Sequence, residues 1–367
     1  MPTLLDSLPA LYRGLFPAFF EGEQPAEAKA TCGSCAMSDA ARHGRVEPVD
    51  GVRRLFRSDT KCCTYHPRLP NYLVGALLAG DEAALAEGRR RVRERLAGRV
   101  GVTPQWLKAP ATYSLLYSHG RGAFGRAESL VCPYFDRQGG GCTVWAYREA
   151  VCSTFFCKYV AGADGIAFWT SLKTYLTIVE LQLSRYALFR LYPEYILAGH
   201  DRPDPEGGPL SAEDLDGAPP PEGAYRRLWG EWAGREEAFY LAAHDAVRAL
   251  ARADFERVMG LDGDLTLAVL ERRRAAALSP ALPERLRFNP DATVKWLDDG
   301  SVALGAYSGY DAVALPGEAY ALLVAFRGDE PVKAVRERLR QTRGADLDDE
   351  VLLVLYRHRV LVDAAEG

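Results

Sequence analysis

The chain has 367 residues, a formal net charge of −4 and 26% charged residues. This length is enough for two or three domains with a sizeable core. The net charge predicts no bulk affinity for nucleic acid or for anionic membranes. The sequence shows no secretory leader pattern and no apolar run of about 18 residues, so we expect no transmembrane helix and a location in the reducing cytoplasm.

Cysteine usage is the most informative feature of the sequence. Four cysteines lie within 26 residues, and the 210 residues after the last of them contain none. In a reducing compartment, close-set thiols bind metal or do redox chemistry more often than they form disulfides. The clustering therefore predicts one thiol-rich metal site, with eight candidate ligands: Cys32, Cys35, Cys62, Cys63, Cys132, Cys142, Cys152 and Cys157.

The first 70 residues contain the first two cysteine motifs. One or two short helices are expected over residues 1–30, and a polar loop over residues 36–61. Cys32 and Cys35 lie on a glycine-containing turn that lets two thiolates converge on one ion; the alternative is a redox dithiol. In an extended backbone Cys62 and Cys63 would point to opposite faces, so either one is a ligand or the two bind different metals. His66, which precedes a proline, is more typical of a turn than of a metal ligand.

Two helices are predicted next, a buried one over Asn71–Ala79 and a longer one over Asp81–Val100. Three glycines then precede Cys142 and permit a tight turn that brings backbone N–H groups near sulfur. Six aromatic residues are expected to form an apolar wall around the site: Tyr134, Phe135, Trp145, Tyr147, Phe155 and Phe156.

The rest of the chain is cysteine-free. A long amphipathic helix is predicted over Gly165–Tyr192, with an apolar stripe made of Leu172, Tyr175, Leu176, Val179, Leu183, Tyr186 and Phe189. Alternating residues around Asp299-Gly300 predict a hairpin with arms 293–297 and 301–307, followed by three helical segments. We therefore expect an α+β, mainly helical fold with four parts: a cysteine-cluster metal domain with the long helix (1–199), a linker or loop (200–224), a helical segment (225–280) and a small winged-helix-like module (283–367).

The spacing of the last four cysteines, preceded by a CxxC motif and a CC pair, resembles the CxxCxxCC cysteine-cluster family, a YkgJ-like zinc- or iron-chelating domain: Cys132-x9-Cys142-x9-Cys152-x4-Cys157. The segment 145–157 is similar to the family's x-I-Y-x-x-R-P-x-x-C-R-x-F-x-C pattern. Two features depart from the family. Glu149 replaces its proline, and 26 residues separate Cys35 from Cys62 where the family is nearly continuous. The resemblance covers about residues 30–160 and implies a metal site. The related flagellin lysine methylases imply a protein-methylation role.

The C-terminal module is similar to the PqqD-type peptide-recognition fold. The hairpin with Leu297-Asp-Asp-Gly300 and the helix start at Leu315-Pro316 carry this likeness. It implies a peptide or protein partner for residues 283–367, since the open edge of a small sheet accepts an added strand. The alternative is that the module's own terminal strand or its helices cover this edge.

The sequence thus predicts a cytoplasmic metal-binding protein whose cysteines chelate an iron–sulfur cluster, of the 4Fe–4S type, or zinc. Ligation by cysteine alone suits both, while the wide spacing and the adjacent cysteines favour the cluster. The alternative function is a cluster-dependent protein-modifying enzyme, for example a protein lysine methylase, that docks a peptide on its C-terminal module. Catalytic residues are unknown, because no S-adenosylmethionine loop or catalytic dyad is visible. A third interpretation is structural zinc in a partner-binding scaffold.

Overall fold

The structure is a computed structural model that describes residues 3–25, 48–49, 52–54, 62–125, 127–139, 141–156, 159–201, 210–309 and 311–366. It is 57% helix and 9% strand, which confirms the α+β, mainly helical class. Cys32, Cys35 and Cys157 lie outside the described residues, as do residues 202–209 of the predicted linker. No described helix is both long enough and apolar enough to span a membrane.

The elements of the described residues are as follows. The α-helices are α1 Asn71–Ala79, α2 Ala86–Gly98, α3 Ala111–His119, α4 Ala150–Thr154, α5 Gly162–Leu191, α6 Pro193–Leu197, α7 Ala212–Leu215, α8 Glu222–Trp229, α9 Glu236–Arg248, α10 Arg252–Leu278, α11 Gly317–Leu323, α12 Val332–Arg343 and α13 Asp349–Arg357. The strands are β1 Pro48–Val49, β2 Val52–Arg54, β3 Leu69–Pro70, β4 Trp106–Leu107, β5 Leu286–Phe288, β6 Thr293–Trp296, β7 Ser301–Gly305, β8 Val313–Pro316 and β9 Leu361–Asp363. Short 3₁₀ helices cover Leu4–Ser7, Ala10–Tyr12, Ala18–Glu21, Cys62–Thr64, Ala83–Leu85, Arg121–Ala123, Glu128–Leu130, Trp145–Tyr147 and Gly230–Trp232.

The chain forms two compact units, neither of which is continuous in sequence. The first comprises Met1–Glu23, Asp59–Phe155 and Ser171–Leu270, and the second comprises Gln24–Ser58, Phe156–Thr170 and Glu271–Gly367. All five cysteines that the structure describes belong to the first unit.

The first unit is built on the close packing of α1 against α9. Gly75 makes this approach possible, because a Cβ at this position would lie 1.9 Å from the carbonyl oxygen of Tyr240. Aromatic rings pack in this core. The Trp229 ring is edge-on to the rings of Phe239 and Tyr240, and its centroid lies 5.6 Å from the first and 5.8 Å from the second. Helix α1 is almost entirely buried and has the bounds that the sequence predicted. The described cysteine-bearing segments belong to the same unit as α1.

The second unit contains a five-stranded sheet in the order β1-β2-β8-β7-β6, and a separate two-stranded sheet of β5 and β9. The predicted hairpin is confirmed: Trp296 pairs with Val302, and Gly300 takes φ +80° in the turn. The expected loop over 36–61 is wrong in part, since β1 and β2 lie there. Arg53 of β2 pairs with Ala314 of β8. The sheet therefore recruits a strand that lies far upstream in the sequence.

Candidate metal centre

The adjacent cysteines lie in a helical turn rather than in an extended segment. Cys62–Thr64 form a 3₁₀ turn with Cys63 at φ −70° and ψ 27°, so the alternation of side chains expected for an extended segment does not apply. Both side chains are half-buried. The carbonyl oxygen of Cys63 accepts a 2.7 Å hydrogen bond from the amide of Cys132. This bond joins the CC motif directly to the first cysteine of the downstream stretch.

The loop between Cys132 and Cys142 folds back on itself. The amide of Thr143 donates to the Tyr134 carbonyl oxygen at 3.0 Å, and Phe135 forms an antiparallel bridge with Cys142. The backbone N–H of Tyr134 also points at the Cys132 sulfur, with 3.4 Å between N and Sγ. The Asp136 amide donates to the Gly141 carbonyl oxygen at 2.8 Å, so the chain turns back just before Cys142, while the N–H that reaches a sulfur comes from Tyr134 and not from the glycine segment.

A guanidinium on the neighbouring helix α2 holds this loop. Arg91 donates to the carbonyl oxygens of Pro133 and Phe135, both at 2.8 Å, and it also pairs with Glu87. Arg90 and Arg93 of the same helix are exposed and pair with glutamates. Arg91 instead fixes the backbone on either side of Tyr134.

Cys152 is positioned by the short helix α4, which a buried carboxylate caps. The Glu149 side chain accepts hydrogen bonds from the amides of Val151 at 2.7 Å and Cys152 at 2.9 Å. A second buried carboxylate, on Glu180 of α5, accepts from the Ala150 amide at 2.6 Å. All the amides of the first turn of α4 are thus satisfied by carboxylates. Glu149 occupies the position where the cysteine-cluster pattern has proline.

The thiols are close enough to influence one another. Burial first, and also negative charge on Cys142 and on Cys62, raises the pKa of the Cys132 thiol to about 12, although the Tyr134 amide and the Arg95 charge act to lower it. Burial also raises the pKa of Cys152, with added contributions from the charges of Glu149, Cys132 and Cys142. Cys132 therefore responds to charge on Cys62 and Cys142, and Cys152 to charge on Cys132 and Cys142, all within the first unit.

The donor chemistry suits a soft metal, since thiolate sulfur is the ligand of structural zinc and of iron–sulfur clusters. The described residues taken alone contain no group of three or more His, Cys, Asp or Glu side chains arranged to hold a metal ion. Three of the eight predicted ligands lie beyond these residues: Cys32, Cys35 and Cys157. The thiol side chains of the described cysteines are suitable ligands for zinc or for an iron–sulfur cluster. The full ligand set stays a prediction.

His66 is engaged with an arginine. Its Nε2 is hydrogen-bonded to the Arg95 guanidinium, and its ring stands edge-on to Tyr113 with 5.2 Å between centroids. Burial first, and then the charge of Arg95, lowers the pKa of His66 to about 3. This agrees with the interpretation of His66 as a structural residue.

The expected aromatic wall is only partly formed. Tyr134, Phe135 and Tyr147 belong to the apolar core that also includes Cys132. Trp145 is 38% exposed and stacks with the Arg148 guanidinium, 3.4 Å from its ring centroid. Phe156 belongs to the second unit, where its ring lies 4.5 Å from that of Trp169. The remaining member of the wall, Phe155, is half-buried and lies 6.1 Å from the ring of Phe124 in the first unit.

Three residues near the site were not predicted: Glu149, Glu180 and Arg95. Glu180 lies on the buried face of α5 between Val179 and Leu183, and a charge on such a face is a signal that the sequence did carry. Glu149 was visible only as a departure from a motif. Arg95 carried no signal of its own within the predicted helix Asp81–Val100. The chain matches no protein-family model, no curated protein and no solved structure.

Proposed function

We propose that this chain binds an iron–sulfur cluster through its clustered cysteines, with zinc as the alternative occupant. The observation that carries the proposal is that the CC pair and the downstream cysteine stretch, which are distant in sequence, meet in the first unit through the bond from the Cys132 amide to the Cys63 carbonyl. Buried, mutually repelling thiols are costly to ionise, and a bound cation reverses that cost.

Within this proposal the two adjacent cysteines have different roles. The charge of Cys62 acts on the Cys132 thiol, which supports Cys62 as a ligand. The carbonyl oxygen of Cys63 accepts from the Cys132 amide, which assigns Cys63 a backbone role. The proposed ligands are Cys62, Cys132, Cys142 and Cys152, completed from Cys32, Cys35 and Cys157. When bound, the group would supply a redox-active or Lewis-acidic centre.

Metal analysis of purified variants tests this assignment. The double variant Cys142→Ser, Cys152→Ser should lose its metal and become sensitive to protease within the first unit, because metal-binding energy is also folding energy. The single variant Cys62→Ser should lose metal, whereas Cys63→Ser should retain it. Ser153→Ala, one residue from Cys152, is the matched control and should keep full occupancy. Full metal content in the double variant would contradict the proposal.

We also propose that the second unit docks an extended peptide on β6, as the likeness of residues 283–367 to a winged-helix, PqqD-type module suggests. The supporting observation is that β6 is the outer strand of its sheet and that all four of its residues are exposed. The terminal strand β9 pairs with β5 instead, so it does not cover this edge. Docking of this kind would serve the alternative function, a protein-modifying activity.

The register of the hairpin defines a variant that blocks this edge selectively. The Leu297 amide donates to the Ser301 carbonyl, so alternate residues of β6 bond to β7, and Val294 and Trp296 direct their amides to the open side. Val294→Pro therefore removes an outward donor without breaking the ladder to β7. Heptapeptides selected on the full-length protein from a phage library should bind Val294→Ala but not Val294→Pro. Equal binding to both variants would contradict docking at this edge.

A further inference from the structure

We propose that the first unit has a second binding site, a cleft for a small organic carboxylate with an apolar body, beside Arg95. The cleft has a volume of about 390 Å³, within the range of small-molecule sites. Its floor includes Val131 and Pro133, the residues on either side of Cys132. This site goes beyond the proposed metal binding and does not depend on it.

The guanidinium of Arg95 supplies the charge. It donates to the carbonyl oxygens of Lys108 at 2.6 Å and Val100 at 3.1 Å, and to Nε2 of His66. Because a guanidinium can only donate, the His66 nitrogen must accept, and the imidazole is therefore neutral. Every one of these partners is an uncharged acceptor.

Arg95 lacks the acidic partner that its neighbours have. On the same helix Arg91 pairs with Glu87 and Arg93 with Glu237, whereas no carboxylate of the described residues forms an ion pair with Arg95. The side chain of Arg95 is only half-exposed. A cation withdrawn from water without a counter-ion is costly, and a concave site that contains one favours an anionic ligand.

The remaining walls define the rest of the ligand. Pro110, Leu116, Val131 and Pro133 present apolar surface, and Thr112 and Ser129 add hydroxyl groups. The Tyr113 hydroxyl is already committed, since it donates to the Thr64 carbonyl at 2.7 Å and accepts from the His66 amide at 2.9 Å. The cleft thus matches a monocarboxylate with an aromatic or short aliphatic body better than a phosphate or a sugar.

A rival role for Arg95 is to compensate the negative charge of the sulfur site, because its charge also lowers the pKa of the Cys132 thiol. That effect is smaller than those of burial, of the Tyr134 amide and of Cys142. The two roles differ in what they predict: charge compensation alone gives no saturable binding of an added carboxylate.

Calorimetry and ligand-observed NMR on the full-length protein, with phenylacetate and its neutral isostere phenylacetamide as probes, test the site. A charge-assisted hydrogen bond contributes about 1.5–3 kcal/mol, so phenylacetate should bind at least about tenfold more tightly than phenylacetamide. Arg95→Gln should remove this preference. Arg93→Gln on the same helix, whose partner is Glu237, is the matched control and should keep it.

A second variant keeps the test decisive if Arg95→Gln does not fold. Leu116 is 46% exposed, so Leu116→Trp should be tolerated while filling the cleft, and it should abolish phenylacetate binding. The proposal is overturned if phenylacetate, benzoate and hexanoate show no saturable binding. It is also overturned if the acid and the amide bind equally, or if Leu116→Trp binds as well as the parent. Metal content, measured on the same samples, reports separately on the sulfur site.

Discussion

The amide of Cys132 donates a 2.7 Å hydrogen bond to the carbonyl oxygen of Cys63. This bond links the 3₁₀ turn Cys62–Thr64 to the start of the loop that leads to Cys142. The turn places Cys62 where its charge is felt by the Cys132 thiol. Two motifs that are distant in sequence are therefore in direct contact within the first unit.

Glu149 is expected to stabilise the helix that contains Cys152. Glu149→Ala removes the acceptor for the amides of Val151 and Cys152, and loss of a helix N-cap costs about 0.5–2 kcal/mol. Glu149→Gln keeps one acceptor oxygen and should lose less than half as much. Urea unfolding of the two variants measures the difference. A Glu149→Ala variant as stable as the parent would show that the cap contributes nothing.

The buried carboxylate of Glu180 makes stability depend on pH. Burial first, and then the negative charge of Glu149, raises the pKa of Glu180 well above its ordinary value of 4.5. The folded protein thus binds this proton more tightly than the unfolded chain. The free energy of unfolding should therefore fall as the pH rises above 4.5, until the raised pKa is passed.

Glu180→Gln carries no such proton and retains an oxygen that can accept from the Ala150 amide. Its unfolding free energy should exceed that of the parent increasingly as the pH rises, by at most about 1.4 kcal/mol per pH unit. Urea unfolding at several pH values from about 5 to about 8 gives both slopes. If the unfolding free energies of the two proteins changed with pH at the same rate, the result would contradict a buried Glu180 carboxyl group that holds a proton.

Gly75→Ala tests the helix contact on which the first unit is built. The added Cβ would lie 1.9 Å from the Tyr240 carbonyl oxygen and 2.8 Å from the Cβ of His244. Helices α1 and α9 must then separate, and we expect a loss of about 3 kcal/mol in unfolding free energy. Gly98→Ala, at the exposed end of α2 with no atom within 4 Å, is the control. It should be neutral or stabilising by up to about 1 kcal/mol, and equal effects would refute the contact.

Local sequence patterns predicted elements whose own residues determine where they begin and end. The apolar run Asn71–Ala79 became α1 with the same bounds, and Asp299-Gly300 became the hairpin turn between β6 and β7. On the hairpin, however, the apolar residues Val294 and Trp296 are 40% and 61% exposed, whereas Val302 and Leu304 on the other arm are buried. The reason is that β6 is an edge strand, and its position in the sheet depends on the order of all the strands.

The features that the sequence did not predict depend on contacts between segments that are distant in sequence. The predicted stripe of α5 fails at Phe189, which is 68% exposed, while Ser184 is fully buried. Ser184 can be buried because its hydroxyl accepts from the Gln105 side chain at 3.1 Å and donates to the Leu181 carbonyl at 2.8 Å. The bond from Ala150 to Glu180 is another such pairing. No periodicity within a single segment predicts these contacts, since each needs both segments in place.

We propose that the clustered thiols bind metal as an iron–sulfur cluster. The ultraviolet-visible spectrum of full-length protein purified without oxygen, together with iron, acid-labile sulfide and zinc analysis, tests it most directly. We expect a broad band near ~400 nm from sulfur-to-iron charge transfer, with iron and sulfide in equal amounts. This band should be absent from the double variant Cys142→Ser, Cys152→Ser. A colourless parent protein that contains zinc would contradict the cluster, and one that contains neither metal would contradict the site itself.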